Sequence, residues 1–271
     1  ILGTNQYWNE RDNKSPDRYA NTIESSFVKN FSKQAIAYSY LGEIDPRYWS
    51  TGPILEERMS WDQNRDGIPD ENAPSWLGPV NLEWKIPYEK EWESYSQWGY
   101  QNQYSLYMVR FWDDHFLEYI KDEIHFYQKK GWDGILFDTV PPGQWTEHNE
   151  LHSPIYSWEE LADNSYIGLK KIREFIDSNF PEFNLYINGS SFVSSWMSIK
   201  PDTFNLIDGM VLESKIFYGV REHDGKSATH GNKFPAHFDL RHWNEHSGLL
   251  QNTASTMEGQ DVNIPILLTE Y

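Results

Sequence analysis

Lys129-Lys130-Gly131-Trp132-Asp133-Gly134-Ile135-Leu136-Phe137-Asp138 holds one complete helix-to-strand transition. Ahead of it, Leu117, Ile120, Ile124 and Tyr127 recur at steps of three, four and three residues, the spacing that gathers apolar side chains on one helical face. Gly131 supplies the left-handed residue on which such a helix ends. A short apolar strand follows and terminates in a carboxylate. In parallel α/β proteins the carboxyl ends of the strands line the functional crevice, so Asp138 is a candidate for chemistry. The alternative is an aspartate that caps the next helix or opens a turn.

Outward from this unit the same punctuation repeats. Residues 35–41 read as a strand running into Gly42-Glu43, residues 104–111 as one ending at Trp112-Asp113-Asp114, and residues 183–187 as one ending at Asn188-Gly189. Residues 207–212 lead to Glu213, residues 264–269 to Glu270-Tyr271, and residues 1–4 resemble the end of a first strand. Between them lie helical patterns. Ser15-Pro16 opens one with Tyr19, Ile23, Phe27 and Phe31 on its face; Ser157 and Glu160 form a capping box for another, through Leu169, Ile172 and Ile176, which Pro181 stops. Strands alternating with helices, without hairpin signals, predict a parallel sheet, and no Gly-rich phosphate loop favours a doubly wound fold. The expectation is a single α/β domain over residues 1–271, a (β/α)8 TIM barrel. Seven strands are legible, so the eighth either lies beyond the sequence or is missing from an irregular barrel.

Residues 46–103 form a loop insertion after the second strand, rich in Trp, Pro, Gly and Glu and far longer than an ordinary βα connection. Within it Asp62, Asn64, Asp66, Ile68 (through its carbonyl) and Asp70 occupy positions 1, 3, 5, 7 and 9 of an EF-hand-type calcium loop, with Gly67 at the turn. Position 12 is Ala73 rather than glutamate. A structural Ca²⁺ is therefore expected, stiffening the loop, against the alternative of a solvated acidic turn. No organic cofactor is expected.

A formal net charge of −18 argues against a nucleic-acid partner, which needs a basic surface, and is compatible with a neutral or cationic substrate or simply with solubility. Cysteine is absent, which excludes disulfides and thiolate metal sites. No apolar run has the length of a membrane span, and the opening Ile1-Leu2-Gly3 reads as that of a mature or trimmed form. Aromatic residues make up 16% of the chain, including 13 Trp and 17 Tyr, an abundance that suits stacking on sugar rings as well as an aromatic core. His115, His125, His148, His152, His237, His242 and His246 show no metal-ligand spacing.

If the strands are barrel neighbours, Glu43, Asp138, Asn188, Glu213 and Glu270 ring one mouth. Two opposed carboxylates among hydrogen-bonding neighbours are the minimum apparatus for glycoside hydrolysis. Asp138 and Glu213 form the expected pair: each follows an Asp-Gly-apolar run, Asp133-Gly134-Ile135-Leu136-Phe137 and Asp208-Gly209-Met210-Val211-Leu212. Tyr40, Arg110, Asn188, Glu43, Glu270 and Tyr271, at or beside strand ends, are the candidates for binding substrate.

The order of Ala37-Tyr38-Ser39-Tyr40-Leu41-Gly42-Glu43, Trp76-Leu77-Gly78-Pro79, Trp84, Gly131 to Asp138, Asn188-Gly189, Asp208 to Glu213 and Pro265 to Tyr271 resembles glycoside hydrolase family 114. These are endo-α-1,4-polygalactosaminidase-like TIM-barrel domains. The resemblance spans roughly residues 35–271, and the stretches 62–70 and 86–103 depart from it. It implies that Asp138 and Glu213 are the catalytic carboxylates, that Glu43, Asn188 and Tyr271 contact sugar, and that the substrate is an amino-sugar exopolysaccharide cleaved at a secreted or cell-surface location. The alternatives are a polysaccharide-binding barrel without catalysis, or a hydrolase of a different α-glycan.

Overall fold

The computed structural model describes residues 34–44, 60–63, 66–80, 107–138, 140–141, 143–148, 152–188, 199–213, 217–218, 237–238, 257–259 and 264–269, with Lys29, Met197 and Ser255. The expected first strand, the helix from Ser15, and Asn64, Glu270 and Tyr271 lie outside these residues. In chain order the strands are β1 (Ile36–Tyr40), β2 (Glu43–Ile44), β3 (Leu77–Val80), β4 (Tyr107–Val109), β5 (Gly134–Asp138), β6 (Asn184–Asn188), β7 (Gly209–Glu213), β8 (Phe217–Tyr218), β9 (His237–Phe238) and β10 (Ile266–Thr269). The two long helices are α1 (Asp114–Lys129) and α2 (Trp158–Asn179).

Five of the expected strands assemble as an all-parallel sheet in the order β1-β5-β6-β7-β10. That succession, with α2 crossing between β5 and β6, is the arc of a (β/α) barrel. The strand expected over 104–111 is a correction. Its described part holds β4, which runs antiparallel to β2 and β3 in a separate three-stranded sheet. An apolar run carries no information about strand direction, and the connection from 45 to 106 is long enough for the chain to return alongside itself. β3 arises from the stretch read as irregular.

The helix ends follow sequence chemistry closely. Asp113 caps α1 by accepting the His115 N–H, and Ser157 and Glu160 form both bonds of the capping box at α2. At the far end of α1, Gly131 has φ 83, its N–H reaches the Gln128 carbonyl, and the Trp132 N–H reaches that of Tyr127. This is a Schellman motif, and the Tyr127 and Trp132 rings, 6.2 Å apart, supply its apolar contact.

Strand alternation sorts the core. Ala37, Ile135, Phe137, Leu185, Ile187 and Met210 face outward in one cluster with Leu117, Ile120 and Ile124 of α1 and Leu169, Ile172 and Ile176 of α2. Each of these side chains except Ala37 contributes about 1.5–3 kcal/mol on burial. The opposite face carries a smaller cluster of Ile36, Leu136, Tyr186 and Val211, against which Tyr38 packs.

The two Asp-Gly dipeptides share a role at the amino-terminal rim. Asp133 donates its N–H to the Ala35 carbonyl and accepts the Ala35 N–H on Oδ2 at 2.8 Å. Asp208 repeats this with Leu185, at 2.8 and 2.7 Å. Each aspartate thus staples its strand to the preceding one at both backbone groups. The glycine beside it admits the neighbour: a Cβ on Gly134 would sit 2.6 Å from the Asn184 carbonyl oxygen. Gly134→Ala is therefore expected to destabilise the fold by about 1–3 kcal/mol in urea unfolding, because backbone must shift. Gly259→Ala, where a Cβ meets nothing within 4 Å, is expected to change little; equal midpoints for the two variants would contradict the tight β5–β6 approach.

Candidate active site

Side chains on the inner face of the parallel sheet alternate with those that pack on the helices. On β1 they are Ile36, Tyr38 and Tyr40; on β5, Leu136 and Asp138; on β6, Tyr186 and Asn188. The lower members form the apolar floor. The upper members, at the carboxyl ends, are polar.

Asp138 stands in register with Tyr40 of β1, and Asn188 is the next inner-face position on β6. The Tyr38 hydroxyl donates to Asp138 Oδ2, and the Asn188 side-chain amide donates to Oδ1 at 2.9 Å. Both carboxylate oxygens therefore accept bonds from the strands flanking β5. Asp138 is thus held across the sheet from both sides. Tyr38 and Tyr40 meet edge to face at 5.5 Å, a partly buried aromatic wall beside the carboxylate. Burial, and then the negative charge of Asp138, push the Tyr38 phenol far above the ordinary tyrosine range. Tyr38 is thus a neutral donor at any working pH.

Tyr38 is a site residue that the sequence reading passed over. Its signal was present, since Tyr40 was singled out and a residue two positions earlier on a strand shares its face.

The other expected residues separate. Glu43 lies on β2, opposite Met108, and is 2% exposed, so it is enclosed rather than standing free at a rim. Arg110 directs its guanidinium to the Ser75 and Leu77 carbonyls, both at 2.8 Å, and to the Tyr156 hydroxyl at 2.9 Å, with the Trp145 ring 4.9 Å away. It bolts the 75–77 turn onto the aromatic cluster around Trp145. Glu213 ends β7, two strands from Asp138, with its backbone in register with Thr269. Alternation from Val211 puts position 213 on the face that carries Asp138. The carboxylate of Glu213 lies outside the described residues, as do Glu270 and Tyr271.

In the 62–70 loop Asp62 accepts the N–H groups of Asp66 and Gly67, at 3.2 and 3.0 Å, and the Tyr107 hydroxyl. Asp66 accepts from Ile68 N and Asp70 from Gln63 N, both at 2.8 Å. The carboxylates of the expected calcium ligands are thus engaged by the loop's own amides. Among the described residues no group of three or more His, Cys, Asp or Glu side chains is placed to hold a metal ion.

A second buried carboxyl lies behind the site. Glu123 of α1 is 2% exposed and accepts the Ser39 hydroxyl at 2.7 Å. Ser39 points outward between Tyr38 and Tyr40, so this bond ties α1 to the site strand. Burial raises the Glu123 carboxyl to about 7, against the smaller lowering effect of the Ser39 hydroxyl.

No protein-family model matches the sequence, and no curated protein matches it. Solved structures do. A variant of the glycoside hydrolase domain of PelA from Pseudomonas aeruginosa aligns with 92% of this chain and 73% of its own, at 11% identity and a TM-score of 0.52. The same domain without the substitution gives 12% identity, the same coverage and a TM-score of 0.50. Ega3 of Aspergillus fumigatus, solved in complex with galactosamine, aligns with 92% of this chain and 66% of its own at 11% identity and a TM-score of 0.45. The chain therefore has the α/β-barrel fold of the PelA glycoside hydrolase domain, with the Tyr38–Asp138–Asn188 cluster at the carboxyl ends of its parallel strands.

Proposed function

We propose that this chain is a secreted or cell-surface glycoside hydrolase that cleaves an amino-sugar exopolysaccharide internally, in the manner of an α-1,4-galactosaminidase. The observation that supports it most is the placement of Asp138: a carboxylate at the end of an inner barrel strand, both oxygens held by side chains from the flanking strands. Glu213 is its proposed partner. In glycoside hydrolysis one carboxyl protonates the leaving oxygen as the anomeric C–O bond breaks. The other attacks the anomeric carbon or takes a proton from the attacking water, and water ends on the new reducing terminus. Tyr40 and Asn188 would line the sugar beside Asp138, with Glu270 and Tyr271 further along the cleft, while Glu43, enclosed on β2, would act from behind the surface. Arg110 would act by holding the 75–77 turn. The amino-sugar assignment rests on the family resemblance and is compatible with the charge of −18, which favours a cationic polymer. Among the described residues no helix is long and apolar enough to cross a membrane.

The test is release of reducing ends from a panel of polymers. Partly deacetylated galactosaminan is expected to be cleaved, with the rate falling as salt screens the attraction. Release from a neutral α-glucan alone would move the substrate class, and binding without release from any polymer would make the chain a carbohydrate-binding barrel.

A structural calcium ion at residues 62–70 belongs to the same proposal, supported by the alternation of oxygen-bearing side chains along that loop. At one hundred times its dissociation constant it would stabilise the fold by about 2.7 kcal/mol, or roughly 5 °C in Tm for a chain of this size. Thermal unfolding with calcium and then with chelator measures this; identical Tm values would leave the loop held by its amides alone.

A further inference from the structure

The geometry points to Tyr38 as a positioning residue for the reaction, one that fixes the rotation and the charge distribution of the Asp138 carboxylate through Oδ2. The inference rests on the hydrolase reading above and deepens it. Asn188 engages one carboxylate oxygen and Tyr38 the other, so the plane of the carboxylate is set by two donors on opposite neighbouring strands. The Tyr38 ring is in turn immobilised, packed on the floor of Ile36, Leu136, Tyr186 and Val211 and held edge to face by Tyr40. A phenylalanine would fill that floor equally well, so packing does not explain the hydroxyl. Both donors are also uncharged. An arginine or lysine in the place of either would add an ion pair to the carboxylate, which a phenol and an amide do not. Burial and the facing carboxylate keep the phenol protonated, so its part is donation and not proton transfer.

Tyr38→Phe is expected to lower kcat about 10- to 100-fold with KM changed less than about threefold, because a carboxylate free to rotate departs from the reactive geometry that substrate binding does not need. The acidic limb of the kcat/KM profile is expected to move to higher pH, since a donor to the charged form has been removed. Incorporating 3,5-difluorotyrosine at position 38 acidifies the phenol at nearly constant size and is expected to move that limb to lower pH. It also keeps the question answerable if Tyr38→Phe folds poorly. Opposite displacements in the two proteins support the inference, because a purely structural role moves neither. If the wild type cleaves polymer, Asp138→Asn does not, and both Tyr38 proteins keep the wild-type kcat and profile, the inference is overturned while the hydrolase reading stands. If the wild type cleaves nothing on the panel, the hydrolase reading falls and the inference with it.

Discussion

Asp138→Asn is expected to lower reducing-end release by at least about 10³-fold, a loss of roughly 4 kcal/mol of transition-state stabilisation. The variant keeps the size of the side chain but loses the charge that would attack or take a proton. Its effect on stability should be smaller and has a specific origin. Tyr38 and Asn188 both donate to Asp138, and an asparagine can turn its single carbonyl toward only one of them. With that carbonyl toward Asn188, the new N–H₂ donates to the Tyr38 oxygen and the phenol proton is left without its acceptor, a cost of about 1–3 kcal/mol. Glu213→Gln is expected to produce a comparable loss of release. The double variant should be scarcely worse than either single one, because groups that act on one bond as a unit are not additive. Asp208→Asn is the contrasting control. Its carboxylate sits at the opposite rim, on the Leu185 N–H and on Arg173 at 2.8 Å, so it should lower the unfolding midpoint and leave the specific activity unchanged. Release by Asp138→Asn within tenfold of the wild type would remove Asp138 from the chemistry.

The parts of the fold legible beforehand are those written in local terms. The end of α1 was visible because only glycine suits φ 83 at position 131, and the start of α2 because a serine and a glutamate three residues apart satisfy each other's backbone. The parallel strands were visible as apolar runs ending in polar residues. The direction and partner of β4 were not, since both depend on where a connection of some sixty residues returns, and nothing local encodes that. The same limit governs the site. Asp138 and Asn188 could be named from their positions at strand ends, but that they meet depends on the register of β5 against β6. Arg110 could be named from its place at a strand end, but its bonds to the Ser75 and Leu77 carbonyls could not, because that turn belongs to the part of the chain with the weakest local pattern. Glu123 was accessible in principle. It lies three residues after Ile120 and one before Ile124, inside the apolar stripe of α1, and a charged residue in such a stripe signals a buried partner.

Glu123→Gln is expected to turn from a neutral into a stabilising mutation as pH rises. In the unfolded chain the Glu123 carboxyl titrates near 4.5, and in the fold burial raises it to about 7. Between those values the native state holds the proton more tightly than the unfolded state does. The stabilisation from the neutral carboxyl is therefore complete below about pH 4.5 and is lost as pH rises through 7, a total of about 3 kcal/mol for a displacement of this size. Glutamine keeps the volume and can still accept the Ser39 hydroxyl that Glu123 takes at 2.7 Å, but it has no proton to lose. At pH 4.5 the two proteins should unfold at similar denaturant concentrations. At pH 8 the glutamine variant should be the more stable by up to about 3 kcal/mol, near 5 °C in Tm. The difference between the two proteins is the quantity to follow, because the many surface carboxylates titrate equally in both and drop out. A difference that stays flat from pH 4.5 to 8 would mean that Glu123 ionises in the folded protein as readily as in water, and that the bond joining α1 to the strand of Tyr38 and Tyr40 is not enclosed.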